Sequence, residues 1–446
     1  MPKSNSIPTS KVRRSTIAGI TAAKIGIKHV GYKTRSLLMD ENEKKKFKEL
    51  HEKNLGVLIF SVLSQLKGTA LKISQLLSME ANILPLSIRE QLKNAYYQVK
   101  PINRALIRKQ IIQELGKKPL EVFKYFESTA FAAASIGQVH RGESFAGQTL
   151  AIKIQYPGIA STIESDLKIV EQLFWTLSKT SEILPHKKVL DLMMCEIKNR
   201  LGEEVDYEIE AKNLHWFIEQ VKLNGITIPK PIDELSSKRV LTLEMLDGLH
   251  LQEWLSTQPS QTEKNRIGQL LFDFFWYSVF NLKKVNADPH PGNFLFLRDG
   301  NLGVLDFGCV RSLDDEFVQQ FSILIPEIIK VFYQNGESET LRKTYQSLKI
   351  LSGDVSQDEF ENQVIPHIRR FAHWFGEAYA TEIFDFNKKS PCPGKPDNEG
   401  IKAVKLVNGM YQEQMCFDRA HLGLMNLLTE IGATIKTDWK KFYCKD

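Results

Sequence analysis

The sequence predicts an α+β fold in which a small strand-rich unit follows a helical extension and precedes a larger helical unit. Three observations predict it. Residues 1–126 carry mainly helical patterns, with Leu66, Ala70, Ile73 and Leu77 on one apolar face. Residues 127–247 change to short strand patterns around a long helical stretch. Residues 248–446 return to helix, apart from one hairpin near 294–307.

Composition sets the outer bounds. The 446 residues suffice for two or three domain-sized units, and 42% hydrophobic with 25% charged residues is an ordinary globular composition. The five cysteines, at 195, 309, 392, 416 and 444, show no CxxC spacing. That pattern argues for isolated thiols rather than a zinc site or a disulfide framework. The net charge of +6 is unevenly spread, because eight Lys or Arg residues precede the first acidic residue, Asp40. With the small and apolar residues of Ile17 to Val30, this segment reads as an anionic-membrane contact or a transit-like sequence. The competing reading is a basic tail followed by an ordinary helix. No stretch is long and apolar enough to span a bilayer, and Leu270 to Leu282, which carries Asp273, reads as a core helix. The expectation is a cytoplasmic or organelle-matrix protein with peripheral membrane contact through residues 1–39 and no nucleic-acid partner.

The elements follow in order. Pro85 and Pro101 interrupt the helical patterns of the extension. The run Phe131-Ala132-Ala133-Ala134-Ser135-Ile136-Gly137-Gln138-Val139, taken by itself, reads as a helix N-terminus. Thr149 to Gln155 is a strand, with Leu150, Ile152 and Ile154 on one face and Ala151, Lys153 and Gln155 on the other. A helix is expected from about Asn199 to Val221, with Asp206, Glu210 and Asn213 sharing a face. Phe294 to Leu297 is an apolar strand, Asp299-Gly300 a hairpin turn and Leu302 to Leu305 the return strand. Beyond Gly308, Ser312 and Asp315 read as a capping box opening a helix. Lys388 to Glu399 is a Pro- and charge-rich loop.

The chemistry concentrates at that hairpin. It brings together a segment bearing Asp288 and Asn293 and a segment bearing Asp306. Converging oxygen donors suit a hard cation such as Mg²⁺ bridging phosphates. Asp288-Pro-His-Pro-Gly-Asn293 has the D-x-x-x-x-N spacing of a kinase catalytic loop, and Asp306-Phe-Gly308 has the metal-holding motif that follows it. In that template Asp288 orients or deprotonates the attacking hydroxyl or water, while Asn293 and Asp306 hold metal. Lys153 fits the strand lysine that pairs with ATP phosphates. Glu210 is the candidate partner of Lys153, although Glu203, Glu204 and Glu208 leave a solvated acidic face as the competing reading. Ala132, Ala133, Ala134 and Ser135 stand where kinases place glycines, so this loop should hold nucleotide differently. The short stretch after Gly308 leaves almost no room for an activation loop, and no Ala-Pro-Glu follows. Small molecules, lipids or water become better acceptors than proteins.

Together these motifs resemble the UbiB (AarF/ADCK) family of atypical protein-kinase-like proteins. The resemblance runs from about residue 60 to 435. It rests on Ala132 through His140, Ala151-Ile152-Lys153, Glu204-Val205-Asp206 with Glu210-Ala211, Asp288 through Asn293, and Asp306-Phe-Gly308. It implies a protein-kinase-like two-lobed fold with a helical extension, ATP and Mg²⁺ as cofactors, and an ATPase or unorthodox kinase linked to coenzyme Q or lipid metabolism. Nucleotide and a lipid or quinone-precursor small molecule are the implied partners. The family's K-x-G-Q motif corresponds to Lys72-Ile73-Ser74-Gln75, with serine in place of glycine. The resemblance implies that this helix lies over the nucleotide site, with Lys72 paired to Glu204. Lys72, Gln75, Glu204 and Asp206 are thereby expected to regulate access and to block protein substrates. Two alternatives remain: a non-catalytic nucleotide-binding scaffold of a biosynthetic complex, and an antibiotic- or choline-type phosphotransferase. The Ala-rich loop and the Lys72–Gln75 motif argue against the second.

Overall fold

The structure is a computed structural model and describes residues 39–66, 72–73, 76–77, 91–92, 103–134, 136–180, 187–393 and 412–443. The basic segment before residue 39, and Ser74, Gln75 and Ser135, lie outside the described residues. The chain divides into two compact units. The first comprises Met1–Ala211 and Pro231–Glu244, the second Lys212–Lys230 and Met245–Asp446.

The first unit is built on an antiparallel sheet. Its strands are β1 (Tyr125–Phe126), β2 (Ala132–Ala134), β3 (Gly137–Glu143), β4 (Thr149–Gln155) and one further strand, Val240–Glu244. β3 lies beside β1, β2 and β4, and Val240–Glu244 pairs along the far side of β4. The predicted alternation of β4 holds: Leu150, Ile152 and Ile154 are buried against Ile107, Ile111, Phe123 and Val240. Each such side chain removed from water stabilises the fold by roughly 1.5–3 kcal/mol. Ile107 and Ile111 come from α2 (Arg104–Leu115), which is preceded by α1 (Glu41–Leu66). The Asn103 side chain caps the start of α2 by accepting from the Ala105 amide, and Gly116 ends it at φ 72°. α3 (Ile163–Thr180) packs on α4 (Lys187–Glu204).

The run of three alanines forms strand β2, not a helix N-terminus. Ala134 pairs with Gly137, and Ala132 with Val139. Gly137 sets the next pairing, that of β3 with β4. A Cβ there would lie 2.4 Å from the Ile154 carbonyl oxygen, so only glycine lets β3 come so close to β4.

The single helix expected from Asn199 to Val221 is two helices. α4 ends at Glu204, and α5 (Tyr207–Gln220) begins after Val205 and Asp206. The reason is the short acidic side chain at the break. Asp206 accepts from the Glu208 amide at 3.2 Å and so starts a new helix. The unit boundary falls within α5, after Ala211.

The second unit holds a mixed sheet and a helical core. After β5 (Ile226–Thr227), β6 denotes Val240–Glu244 and β7 Gly248–Leu249. β5, β7, β9 (Phe294–Leu297) and β10 (Leu302–Val304) form a sheet in the order β5-β10-β9-β7. β8 (Lys284–Asn286) pairs separately with β11 (Val310–Ser312). The core is formed by α6 (Gln261–Phe280), α7 (Asp315–Tyr333), α8 (Ile365–Gly376) and α9 (Gln412–Ile431), with Phe272, Trp276, Phe321 and Phe417 fully buried. Leu270 to Phe280 is thus core helix, as the pattern predicts, and the helix ends at the Asn281 cap, before Leu282. The cap of α7 differs from expectation. Asp314 accepts from the Phe317 amide at 2.6 Å, while Ser312 is taken up in β11 opposite Lys284. No described helix is long and apolar enough to cross a membrane.

Candidate active site

In the second unit the site is a gap between two antiparallel ladders. At one end, β9 and β10 pair with Val304 opposite Phe294, and the Leu305 amide then donates to the Asn293 carbonyl at 2.9 Å. At the other end, β8 and β11 pair with Val310 opposite Asn286, and the Ala287 amide donates to the Cys309 carbonyl at 2.8 Å. The two segments between the ladders, 288–293 and 306–308, are therefore held at both ends and face one another. This is the convergence the sequence predicts, reached by two ladders where one hairpin was expected.

Side chains complete the gap. Asn286 uses both ends of its amide. Its Oδ1 accepts from the Asp288 amide at 3.0 Å, and its Nδ2 donates to the Asp306 carbonyl at 2.6 Å. One residue thus ties the Asp288 segment to the Asp306 segment. Asn293 donates through Nδ2 to the Asp288 carbonyl at 3.0 Å, which leaves its Oδ1 as the atom able to face a cation. Gly308 donates its amide to Asp306 Oδ1 at 2.8 Å. His290 Nδ1 accepts from Gly292 at 3.0 Å, shaping the turn between the prolines. From the helical core, α9 approaches the loop at Gly423, where a Cβ would lie 1.8 Å from Pro289 Cβ. The Asp288 loop therefore rests directly on helix backbone.

The donors fit a hard cation. Among the described residues no group of three or more His, Cys, Asp or Glu gathers around a metal position. The set offered here is the Asp306 carboxylate and the Asn293 amide oxygen. Mg²⁺ is commonly held by one or two carboxylates and completes its octahedron with water and phosphate oxygens.

The first unit holds the other predicted residues. Lys153 Nζ donates to both carboxylate oxygens of Glu210, at 2.9 and 2.8 Å. Its side chain is 13% exposed and that of Glu210 5%. The solvated-face reading of Glu210 is thereby removed. Tyr207, one turn earlier on α5, places its ring 5.2 Å from Lys153 Nζ. Lys72 is buried and pairs with Glu204 at 2.7 Å. Asp206 stands apart from Glu210. It pairs with Lys238 at 2.9 Å as it caps α5, because the break at Val205 takes it off the helical face. Ala132, Ala133 and Ala134 lie in β2, with Ala133 exposed.

Several contacts escaped the sequence reading. Gln138 and His140 form a buried polar ladder behind β2: Gln138 Nε2 lies 2.9 Å from His140 Nε2, and His140 Nδ1 lies 2.8 Å from the Glu127 carbonyl. That pairing makes Nδ1 the protonated nitrogen, and burial holds the His140 pKa below its ordinary value. Period-two spacing could have placed both side chains on one face, but nothing local distinguishes a buried polar face from a solvated one. Asn286 and Gly423 carry no local signal, since their partners lie elsewhere in the chain.

Comparison with known proteins shows the family and the fold. Residues 95–336, rather more than half of the chain, match the ABC1 atypical kinase-like domain. The Saccharomyces cerevisiae protein "Atypical kinase COQ8, mitochondrial" is 29% identical over 439 residues, covering 97% of this chain and 84% of that protein. The Danio rerio protein "Atypical kinase COQ8B, mitochondrial" is 31% identical over 339 residues, covering 74% of this chain. The match spans 51% of that relative's length. Among solved structures, Rv3197 of Mycobacterium tuberculosis, determined as a complex with erythromycin, superposes with a TM-score of 0.61 at 24% identity. The match covers 90% of this chain and 97% of that one, a likeness of fold.

Proposed function

The chain belongs to the ABC1 atypical kinase-like family, the UbiB family its motifs resemble, and from that premise we propose that it binds ATP with Mg²⁺ and transfers or releases the terminal phosphoryl group. The acceptor is a small molecule, a lipid or water, and the activity serves ubiquinone biosynthesis. The observation that carries this reading is the amide bridge of Asn286, which ties the Asp288 segment to the Asp306 segment. A kinase-like site needs that register.

Each residue has a role in the reading. Asp306 and Asn293 would hold Mg²⁺, which when bound neutralises charge on phosphate oxygens. Lys153, aimed by the two carboxylate oxygens of Glu210, pairs with phosphate. Asp288 receives or orients the proton of the attacking hydroxyl. Its carboxylate accepts no hydrogen bond among the described residues and is half-buried, which keeps it available for that proton. β2 packs alanine methyls where a glycine loop would offer bare backbone, so nucleotide meets a stiffer hairpin. The Lys72–Glu204 pair supports a regulatory role for the extension helix. The short stretch from Gly308 to Asp315, filled by β11 and the cap of α7, supports acceptors other than proteins.

The test is nucleotide binding and ATP hydrolysis by the full chain, with and without Mg²⁺, across lipids and phenolic quinone-precursor mimics. The expected outcome is Mg²⁺-dependent binding and slow hydrolysis that is lost in Asp306→Asn. Hydrolysis unchanged in that variant would place the activity elsewhere. Tight nucleotide binding with no turnover on any acceptor would favour the scaffold reading.

A further inference from the structure

We propose that Asn213 is a positioning residue for Asp306, acting through the backbone of Phe307. The proposal rests on the Mg²⁺–nucleotide reading of the site and assigns a determinant of its geometry.

Asn213 Nδ2 donates to the Phe307 carbonyl at 2.8 Å, across 94 residues of sequence. One turn further along α5, Phe217 packs its ring 4.4 Å from that of Phe307, which is fully buried. Helix α5 therefore holds Phe307 twice, by its carbonyl and by its ring. Asn286 holds the preceding carbonyl, that of Asp306, at 2.6 Å. Two amide donors from distant elements thus fix two successive peptide planes. Peptide planarity leaves only two soft dihedrals at Phe307 between them. With both planes held, φ and ψ of Phe307 are set, and the chain is fixed directly after the Asp306 Cα. The Gly308 amide on Asp306 Oδ1 is then set by the same two planes. Neither Asn213 nor Phe217 needs to touch metal or nucleotide to do this.

A residue that only stabilises the fold would alter every binding property together. A residue that aims Asp306 alters the metal-dependent part alone. The experiment measures equilibrium binding of a fluorescent ADP analogue to the full chain, without metal and over a Mg²⁺ titration. It compares wild type, Asn213→Leu and Asn213→His, the last restoring an N–H donor at similar reach. Losing one hydrogen bond should raise the half-maximal Mg²⁺ concentration of Asn213→Leu by roughly three- to tenfold. Metal-free affinity should stay within about twofold, which also reports that the variant is folded, and Asn213→His should recover most of the loss. Unchanged Mg²⁺ dependence in Asn213→Leu overturns the proposal while leaving the functional reading intact. So does a parallel loss of metal-free and Mg²⁺-dependent binding that Asn213→His fails to recover, since that is a structural effect. Absence of any Mg²⁺ enhancement in the wild type overturns the functional reading, and this proposal with it.

Discussion

Gly423 and Asn286 each set site geometry by what they lack or share. At Gly423 the missing side chain is what matters. Pro289, next to Asp288, occupies the space a Cβ would fill, with Pro289 Cβ at 1.8 Å and Cγ at 2.5 Å. Neither a proline ring nor a helix backbone can rotate out of the way. Gly423→Ala should therefore shift the Asp288 loop, costing about 1–3 kcal/mol in denaturant unfolding. It should also lower ATP turnover by about tenfold or more, through misplacement of Asp288. An alanine variant with unchanged midpoint and turnover would mean the loop has slack the geometry does not show. Sequence patterns made Asp288, Asn293 and Asp306 legible because their spacing is local. Gly423 was illegible because its partner is more than a hundred residues away and glycines within helices carry no special mark.

At the scale of elements, α5 shows how a local cap breaks a helical pattern. The periodicity that joined Asp206 to Glu210 and Asn213 is real from Tyr207 onward. Asp206 itself lies outside it, because an Asp side chain that bonds the backbone two residues on favours a cap over helix interior. The buried Lys153–Glu210 pair that results is costly to break from one side. Glu210→Gln leaves an ammonium largely out of water and should destabilise the first unit by roughly 3 kcal/mol. The double variant Lys153→Met/Glu210→Leu should recover most of that loss, although on the proposed function it should also lose nucleotide affinity. Chemical denaturation followed by circular dichroism would check both. Equal losses in the single and double variants would show that the pair is stabilising in its own right.

For the molecule as a whole, two groups of α9 make opposed contributions to pH-dependent stability. His421 accepts from or donates to the Tyr379 hydroxyl at 2.7 Å, and burial pulls its pKa down to about 3. Its folded value lies below the unfolded one, so its contribution is full above about pH 6.5 and is lost as pH falls. Desolvation pushes Asp418, which accepts from Gln414 at 2.6 Å, up to about 7. Its folded value lies above the unfolded one, so its contribution is full below about pH 4 and is lost as pH rises to about 7. Between about pH 4 and 6.5 the two slopes oppose and largely cancel. Asp418→Asn removes the falling slope. The stability difference between variant and wild type should then rise by about 1.4 kcal/mol per pH unit across that window. Tryptophan fluorescence suits the measurement, because Trp216, Trp254, Trp276, Trp374 and Trp439 lie in the second unit and only Trp175 in the first. Parallel stability curves for the two proteins would rule out the shifted carboxyl.

The sequence by itself determined the α+β class, the strand that presents Lys153, the β9–β10 hairpin and the spacing of Asp288, Asn293 and Asp306. These depend on period-two alternation, on turn residues and on short motifs, all of which act within a few residues. The tertiary structure decided the rest. It made β2 a strand by pairing it with β3, and it chose Glu210 over its acidic neighbours as the partner of Lys153. It also closed the site with Asn286, Asn213 and Gly423. A hydrogen bond spanning 94 residues or a missing methyl group against a distant proline has no period and no local composition, so only the folded chain displays it.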